Sequence, residues 1–276
     1  MTALTFLITG GAGSLGKVLV KKLVQMDHIV RVLDINEGDL ATMEYPRIKV
    51  RKIYGDTTDY ANTLEAIHGA DYVIHAAAMK NLEIAETNVD QLTRVNIMGT
   101  TSVARAAAAC ACKAAIFVSS DKAVLPSTAY GATKQMGEKI WRWRSRIHKQ
   151  PVFSIIRPGN FLESRGNVFE VWRKQLAESR PLTITDIRME RYFIETEAVA
   201  DLIIGMCSWA HQGDIIIPRM RKYTMDEMIH HVINNTEVKP EELDIIGARP
   251  GEKLVEQLLT GDEQVIYENE KYLVIK

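Results

Sequence analysis

Leu4-Thr5-Phe6-Leu7-Ile8-Thr9-Gly10-Gly11-Ala12-Gly13-Ser14-Leu15-Gly16 is the stretch that decides the fold. Its first six residues form a short apolar run rich in β-formers, the pattern of a buried parallel strand. The run passes directly into glycines, and these into a helical pattern with Leu15, Val18, Leu19, Leu23 and Met26 on its apolar side. Gly10, Gly13 and Gly16 allow a sharp turn, close approach to a pyrophosphate, and packing of helix on strand. The helix N-terminus then offers N–H groups and the positive end of its dipole to phosphates. With a strand before the glycines and a helix after them, a dinucleotide site is expected here, contacted by Gly10, Gly13, Ser14, Leu15 and Gly16.

The second strand, Ile29-Val30-Arg31-Val32-Leu33-Asp34, ends on a carboxylate. Asp34 stands about 20 residues after the glycines, where it can accept both ribose hydroxyls and repel a 2′-phosphate. Ile35 follows, not an Arg that could clamp such a phosphate, so NAD is expected as cofactor, with NADP as second choice.

Strands and helices then alternate: Ile48–Tyr54, Tyr60–Ile67, Tyr72–His75, a long Ala-rich helix over Val89–Ala109, the strand Ala115–Ser119, a helix carrying Tyr130 and Lys134, and the strand Val152–Arg157. This βαβ rhythm predicts an α/β fold, a Rossmann-type doubly wound parallel sheet. Beyond Pro158 the pattern loosens into loops with short helices near Val168–Glu178, Val199–Ser208 and Met225–Asn234. The expected division is a dinucleotide-binding and catalytic domain over residues 1–160. Residues 161–276 are expected to form a small loop-rich cap that binds substrate, with some segments returning to the core.

Composition agrees with a soluble enzyme large enough, at 276 residues, to bury a full core. A formal net charge of −1 gives no electrostatic reason to expect nucleic acid or membrane as partner. Cys110, Cys112 and Cys207 lack metal spacing and read as reduced, mostly buried thiols of a cytoplasmic protein. The first strand begins almost at Met1, so no signal peptide is expected ahead of it. The stretch Val103–Val118 is interrupted by Arg105 and Lys113 and is too short to span a bilayer. Trp141-Arg142-Trp143-Arg144-Ser145-Arg146 continues the Tyr130 helix and reads as one packed and one charged face, not a nucleic-acid patch. The seven histidines show no ligand spacing, and no metal is expected.

The chemistry is concentrated in Ser119-Ser120-Asp121-Lys122, followed eight residues after Lys122 by Tyr130-Gly131-Ala132-Thr133-Lys134. Tyr130 and Lys134 lie four apart on one helical face. The ammonium is expected to lower the phenol's pKa so that the phenolate can take a proton from a substrate hydroxyl. That pair suffices for alcohol oxidation. Asp121 and Lys122 add a second acid/base couple, for which simple hydride transfer has no use. Loops after the catalytic strand bring Arg165, Arg188 and Arg249 to the open end of the sheet, where Arg suits phosphate oxygens in bidentate fashion.

These residues resemble an extended short-chain dehydrogenase/reductase. Within that superfamily they resemble the UDP-N-acetylglucosamine 4,6-dehydratases, of the C5-inverting type that starts pseudaminic acid synthesis. The likeness runs through Thr9–Gly16, Gly55-Asp56, His75-Ala76-Ala77-Ala78-Met79-Lys80, Val95–Gly99, Ser119–Ala123 and Tyr130–Lys134. It continues through Arg157-Pro158-Gly159-Asn160, Ser164-Arg165-Gly166, Asp186–Met189 and Arg249-Pro250-Gly251-Glu252-Lys253.

The resemblance implies that Tyr130 removes the C4 hydroxyl proton as hydride leaves C4, that Lys122 is base at C5, and that Asp121 is acid to the departing C6 hydroxyl. Hydride then returns to C6, so the cofactor is regenerated in each turnover. It further implies that Ser120 orients the substrate O4 and that Asn96 stabilises the active-site helix. Asp56, Thr57, Ala76, Ala77, Ala78, Asn96, Ser119, Tyr130 and Lys134 join the glycines and Asp34 around the cofactor. Lys80, Asn160, Arg165, Arg188, Arg249 and Glu252 are expected around a UDP-sugar, and a homo-oligomer is expected. The alternatives are a UDP-sugar epimerase or 5,6-ene-forming dehydratase of the same superfamily, or a catalytically silent dinucleotide-sensing protein.

Overall fold

The computed structural model describes residues 2–233 and 243–276. Its strands are β1 (Thr5–Thr9), β2 (Ile29–Asp34), β3 (Val50–Tyr54), β4 (Tyr72–His75), β5 (Ala114–Val118), β6 (Val152–Ile156), β7 (Asn160–Phe161), β8 (Leu182–Ile184), β9 (Glu190–Ile194), β10 (Ile215–Pro218), β11 (Arg221–Thr224), β12 (Leu243–Ile245), β13 (Val265–Glu268) and β14 (Tyr272–Ile275). The helices are α1 (Ser14–Gln25), α2 (Glu37–Ala41), α3 (Tyr60–Ile67), α4 (Leu82–Thr87), α5 (Val89–Thr93), α6 (Thr100–Cys110), α7 (Ala129–Ile147), α8 (Val168–Ala177), α9 (Thr196–Trp209) and α10 (Met225–Ile233). A π-helical stretch, Arg94–Gly99, separates α5 from α6, and a 3₁₀ turn spans Asp121–Ala123.

The main sheet runs β13-β14-β10-β6-β5-β4-β1-β2-β3. Every pairing from β3 to β10 is parallel, and the pairings of β14 with β10 and with β13 are antiparallel. From β1 the chain first builds outward through β2 and β3, then crosses back to β4 on the other side. The crevice between β1 and β4 is therefore the topological switch point, where doubly wound sheets bind ligands at the carboxyl ends of their strands. β5 is buried at all five positions, as a central strand covered on both faces must be. Leu15, Leu19 and Leu23 of α1 pack with Val199 and Ile203 of α9 on one face. The other face carries Ala66 and Ile67 of α3, Val103 and Ala107 of α6, and Trp141 of α7. The result is the three-layer arrangement expected of an α/β chain.

Two features differ from the sequence-based expectation. The helix expected over Val89–Ala109 is broken into α5, the π-helical stretch and α6. The region expected to be mostly loops supplies β10, β13 and β14 to the main sheet, and β7, β9 and β11 form a second sheet of three strands. Runs of four residues such as Ile215–Pro218 and Tyr272–Ile275 are too short for periodicity to separate strand from loop. Asn234, the expected end of the last helix, lies outside the described residues.

His75 ends β4 fully buried, with Nδ1 2.7 Å from Thr9 Oγ1 and Nε2 3.0 Å from Thr100 Oγ1. Burial, and secondarily the charge of Lys134, push its pKa down from 6.5 to about 3. The native ring stays neutral while an unfolded chain takes up a proton below pH 6.5. The contribution of His75 is therefore fully present above that pH and is lost as pH falls towards the native value. A loss of about 1.4 kcal/mol per pH unit over this window is expected. Denaturant titrations of wild type and His75→Gln between pH 7 and pH 4 check this. The variant should show the shallower pH dependence, and equal slopes would refute the assignment.

Candidate active site

Gly10 opens the turn after β1 with φ +68°, and a Cβ there would stand 2.7 Å from the Ala77 backbone N and Cα. Only glycine combines that left-handed conformation with so close an approach. The turn is thereby pressed against Ala76-Ala77-Ala78 after β4, across the switch-point crevice. Asp34 holds the turn from β2, its Oδ2 accepting from Ala12 N at 3.0 Å and its Oδ1 from Asn36 N at 3.0 Å. The helix cap that a carboxylate here could have supplied is made instead by Asn36, whose Oδ1 accepts from Asp39 N at 2.9 Å. Gly13 caps α1 without any side-chain hydrogen bond, so nothing from the side chains competes with an anion at that helix end. Asp56 and Thr57 follow β3, with Asp56 Oδ1 accepting from Thr58 N at 2.8 Å and Thr57 buried. A glycine cradle, a free helix N-terminus and a carboxylate at the end of β2 fit a dinucleotide.

Asn96 sits within the π-helical stretch, a local geometry common at functional sites. Its Oδ1 accepts from Met79 N at 2.8 Å, and its Nδ2 donates to Met79 O at 3.0 Å and to Thr133 Oγ1 at 3.0 Å. The loop after β4 is thus tied to α7, the helix that carries Tyr130 and Lys134.

That helix starts at the cap Thr128, whose side chain accepts from Gly131 N at 3.1 Å. Its inward stripe includes Tyr130, Gly131, Thr133, Lys134, Gly137, Glu138 and Trp141. A Cβ at Gly131 would stand 2.3 Å from Lys122 O, so the missing side chain lets the 3₁₀ turn lie directly on α7. Ser120 caps that turn. Its Oγ accepts from Lys122 N at 3.3 Å and donates to Asp121 Oδ1 at 2.7 Å. Lys122 Nζ stands 3.2 Å from the same Oδ1. Asp121 is fully buried, and its Oδ2 receives no hydrogen bond.

The electrostatics of the Tyr–Lys pair correct the sequence-based expectation. Burial, reinforced by the charge of Asp121 and opposed by a hydrogen bond to Ser120, raises the Tyr130 phenol above its ordinary value. Lys134 is pulled down to about 8 by its own burial, against the pull of Glu138. Its Nζ donates to Val118 O at 2.8 Å and lies 6.0 Å from the Tyr130 ring centroid. The same burial thus weighs on both charged forms, the phenolate and the ammonium.

Asn160 Oδ1 lies 3.5 Å from Lys122 Nζ. Glu252 Oε1 accepts from Arg191 at 3.1 Å, and its Oε2 accepts from Arg249 N at 3.2 Å. A cleft over Lys122 is lined by Ser127, Arg191, Glu252, Lys253 and Glu256. Arg191, Lys253 and Glu256 were missed by sequence reasoning. For Arg191 a signal existed, because alternation along β9 turns Arg191 and Phe193 inward.

Two arginines are not where they were expected. Arg165 reaches the dinucleotide turn: its N donates to Ser14 Oγ at 3.1 Å, and its guanidinium grips Asp39 at 2.9 and 3.1 Å and reaches Ala12 O at 3.3 Å. Both bonds to Asp39 come from the one nitrogen Nη1, while Nη2 turns to Ala12 O. Lys80 follows this segment, its Nζ donating to Arg165 O at 3.1 Å. Arg188 is exposed and folds onto Asp186 two residues away. Arg249 remains beside the cleft, half exposed.

Behind the site, Arg157 at the end of β6 is 2% exposed and forks onto two carboxylates. It donates to Glu138 at 2.9 and 2.7 Å and to Glu263 at 2.9 and 2.7 Å. Ser119 Oγ adds a bond to Glu138 Oε1 at 2.6 Å. Helix α7, the sheet and the C-terminal segment meet at this one guanidinium.

A Rossmann-type sheet with a Tyr-x-x-x-Lys helix facing the dinucleotide crevice defines an extended short-chain dehydrogenase/reductase. The chain belongs to the family described as polysaccharide biosynthesis protein, whose profile matches residues 6–276. A protein of Campylobacter jejuni subsp. jejuni serotype O:23/36 (strain 81-176) named UDP-N-acetylglucosamine 4,6-dehydratase (inverting) is 35% identical over 277 residues, covering 98% of this chain and 81% of that protein. A Rickettsia bellii (strain RML369-C) protein named UDP-glucose 4-epimerase is 32% identical over 268 residues, covering 94% of this chain and 78% of that protein. Among solved structures, that of Pen from Bacillus thuringiensis matches with a TM-score of 0.91 at 30% identity, covering 99% of this chain and 89% of Pen. Among the described residues no helix is long and apolar enough to cross a membrane.

Proposed function

We propose that this chain is a nucleotide-sugar 4,6-dehydratase acting on UDP-N-acetylglucosamine or a close UDP-hexose, with NAD as its recycled cofactor. The observation that carries the reading is the Asp121–Lys122 couple laid directly on the Tyr130 helix, where an oxidation alone would need no second acid and base. The likeness to the Campylobacter dehydratase supports it. NAD in the glycine cradle would supply storage for one hydride, taken from C4 and given back at C6. Asp34, at the end of β2, favours a cofactor with a free ribose diol.

The protein's own residues then divide the proton work. Tyr130 takes the O4 proton, with Ser120 orienting that oxygen. The resulting ketone acidifies C5, where Lys122 removes the proton and, as C6 regains its hydride, returns one to C5. Asp121 protonates the C6 hydroxyl as it departs, so that it leaves as water and not as hydroxide. Residues 1–160 supply the dinucleotide site and these groups. Residues 161–276 supply Glu252 and Arg249, and Arg191 beside them, to the uridine diphosphate end.

Incubation with UDP-N-acetylglucosamine and NAD, without added reductant, followed by mass spectrometry tests the reading. A product lighter by one water, with no build-up of NADH, is the expected result. An isomer of unchanged mass would identify an epimerase instead, and net NADH matching product would overturn cofactor recycling.

A further inference from the structure

Glu256 has no part in the scheme above, yet it lies within the cleft. It is 4% exposed, with Oε1 3.8 Å from Lys122 Nζ and Oε2 enclosed without a hydrogen bond. Lys253 Nζ stands 3.5 Å from Oε2, but its hydrogen bond goes to Val124 O at 2.7 Å. A buried carboxylate left so incompletely matched costs stability and calls for a reason.

Its backbone is held independently of Lys122. Leu254 O accepts from Glu190 N at 2.9 Å and from Arg191 at 3.0 Å, and Ser127 Oγ donates to Gly251 O at 2.6 Å. The loop is therefore a fixed wall, and Glu256 is presented to Lys122 by it.

Lys122 has a difficulty that this wall resolves. Its nearest carboxylate is its own neighbour Asp121, through the oxygen that Ser120 also engages. An amine left to that attraction alone would settle on the group that must act as acid, and neither could then reach the sugar. Asn160 Oδ1 at 3.5 Å and Glu256 Oε1 at 3.8 Å are further acceptors within reach of the amine. Of the other charged groups at the cleft, Arg191 comes from β9, and Glu252 and Lys253 from the same loop as Glu256. Among the described residues Asp121 and Glu256 are the two carboxylates within 4.0 Å of the Lys122 amine.

We propose that Glu256 is a positioning residue for Lys122. It draws the amine away from Asp121 and aims it at C5, leaving Asp121 to serve the leaving hydroxyl. This role rests on the dehydratase reading.

Rapid mixing of the full-length holoenzyme with UDP-N-acetylglucosamine, following the nicotinamide absorbance and water loss together, tests it in Glu256→Gln and Glu256→Asp. The Gln variant should bind UDP normally, reduce its cofactor at the wild-type rate, and lose water up to about 10²-fold more slowly, so that reduced cofactor accumulates. The Asp variant should recover part of the loss. Wild-type water loss in the Gln variant would overturn the inference alone. So would a parallel fall in UDP affinity and cofactor reduction, which marks a role in binding or folding. A wild-type enzyme that reduces its cofactor but releases no water would overturn the dehydratase reading, and this inference with it.

Discussion

Lys122→Ala and Asp121→Asn should each slow water loss by about 10²–10⁴-fold while leaving the cofactor bound as in the wild type. The separation follows from the geometry. Both residues belong to the 3₁₀ turn lying on α7, whereas the glycine turn and Asp34 stand across the crevice on β1 and β2. Asp121→Asn keeps the shape and the hydrogen-bonding capacity towards Ser120, so a loss of rate there reports the missing proton and not a collapsed turn. Titration of NAD against both variants, beside mass spectrometry of the sugar, makes the comparison. Dehydration at the wild-type rate in either one would remove that residue from the chemistry.

Arg157→Ala is expected to destabilise the protein by about 3–5 kcal/mol, the usual cost of leaving a buried charge without its partner. Here two carboxylates, Glu138 and Glu263, lose their common cation at once, and Leu258 O loses a donor at 3.0 Å. For a chain of this size that corresponds to a melting midpoint lower by roughly 10 °C. The triple variant Arg157→Met with Glu138→Gln and Glu263→Gln removes the stranded charges as well, and should regain a good part of the loss. Arg157→Ala melting within a degree or two of wild type would show that water already satisfies the network.

The fold was readable because its evidence is local. The strand-glycine-helix succession at Thr5–Gln25 and the alternation after it depend on neighbours a few residues apart. So does the placement of Tyr130 and Lys134, which a single helix fixes. The cleft was less readable because its wall comes from far along the chain: Glu256 meets Lys122 only through the docking of the 249–256 loop on β9 and on Ser127. Arg165 illustrates the same limit. Its place in the chain points to the substrate side, but tertiary packing lays it over Asp39 and Ala12. The charge state of the Tyr–Lys pair could not be read from spacing, since burial acts on the phenol and the amine together and the depth of burial is written nowhere in the motif.

The π-helical stretch Arg94–Gly99 has a consequence for phase. Each residue of an α-helix advances the direction of its side chain by about 100°. One additional residue in a single turn therefore rotates everything on one side of it relative to everything on the other. Here α6 can keep its alanines against α3 and α7 while Asn96 still points at Met79 and Thr133. With regular α-geometry throughout, one of those two faces would be turned away from its neighbours. The irregular turn works as a phase shifter, letting one continuous rod meet two surfaces whose spacing does not share a common period.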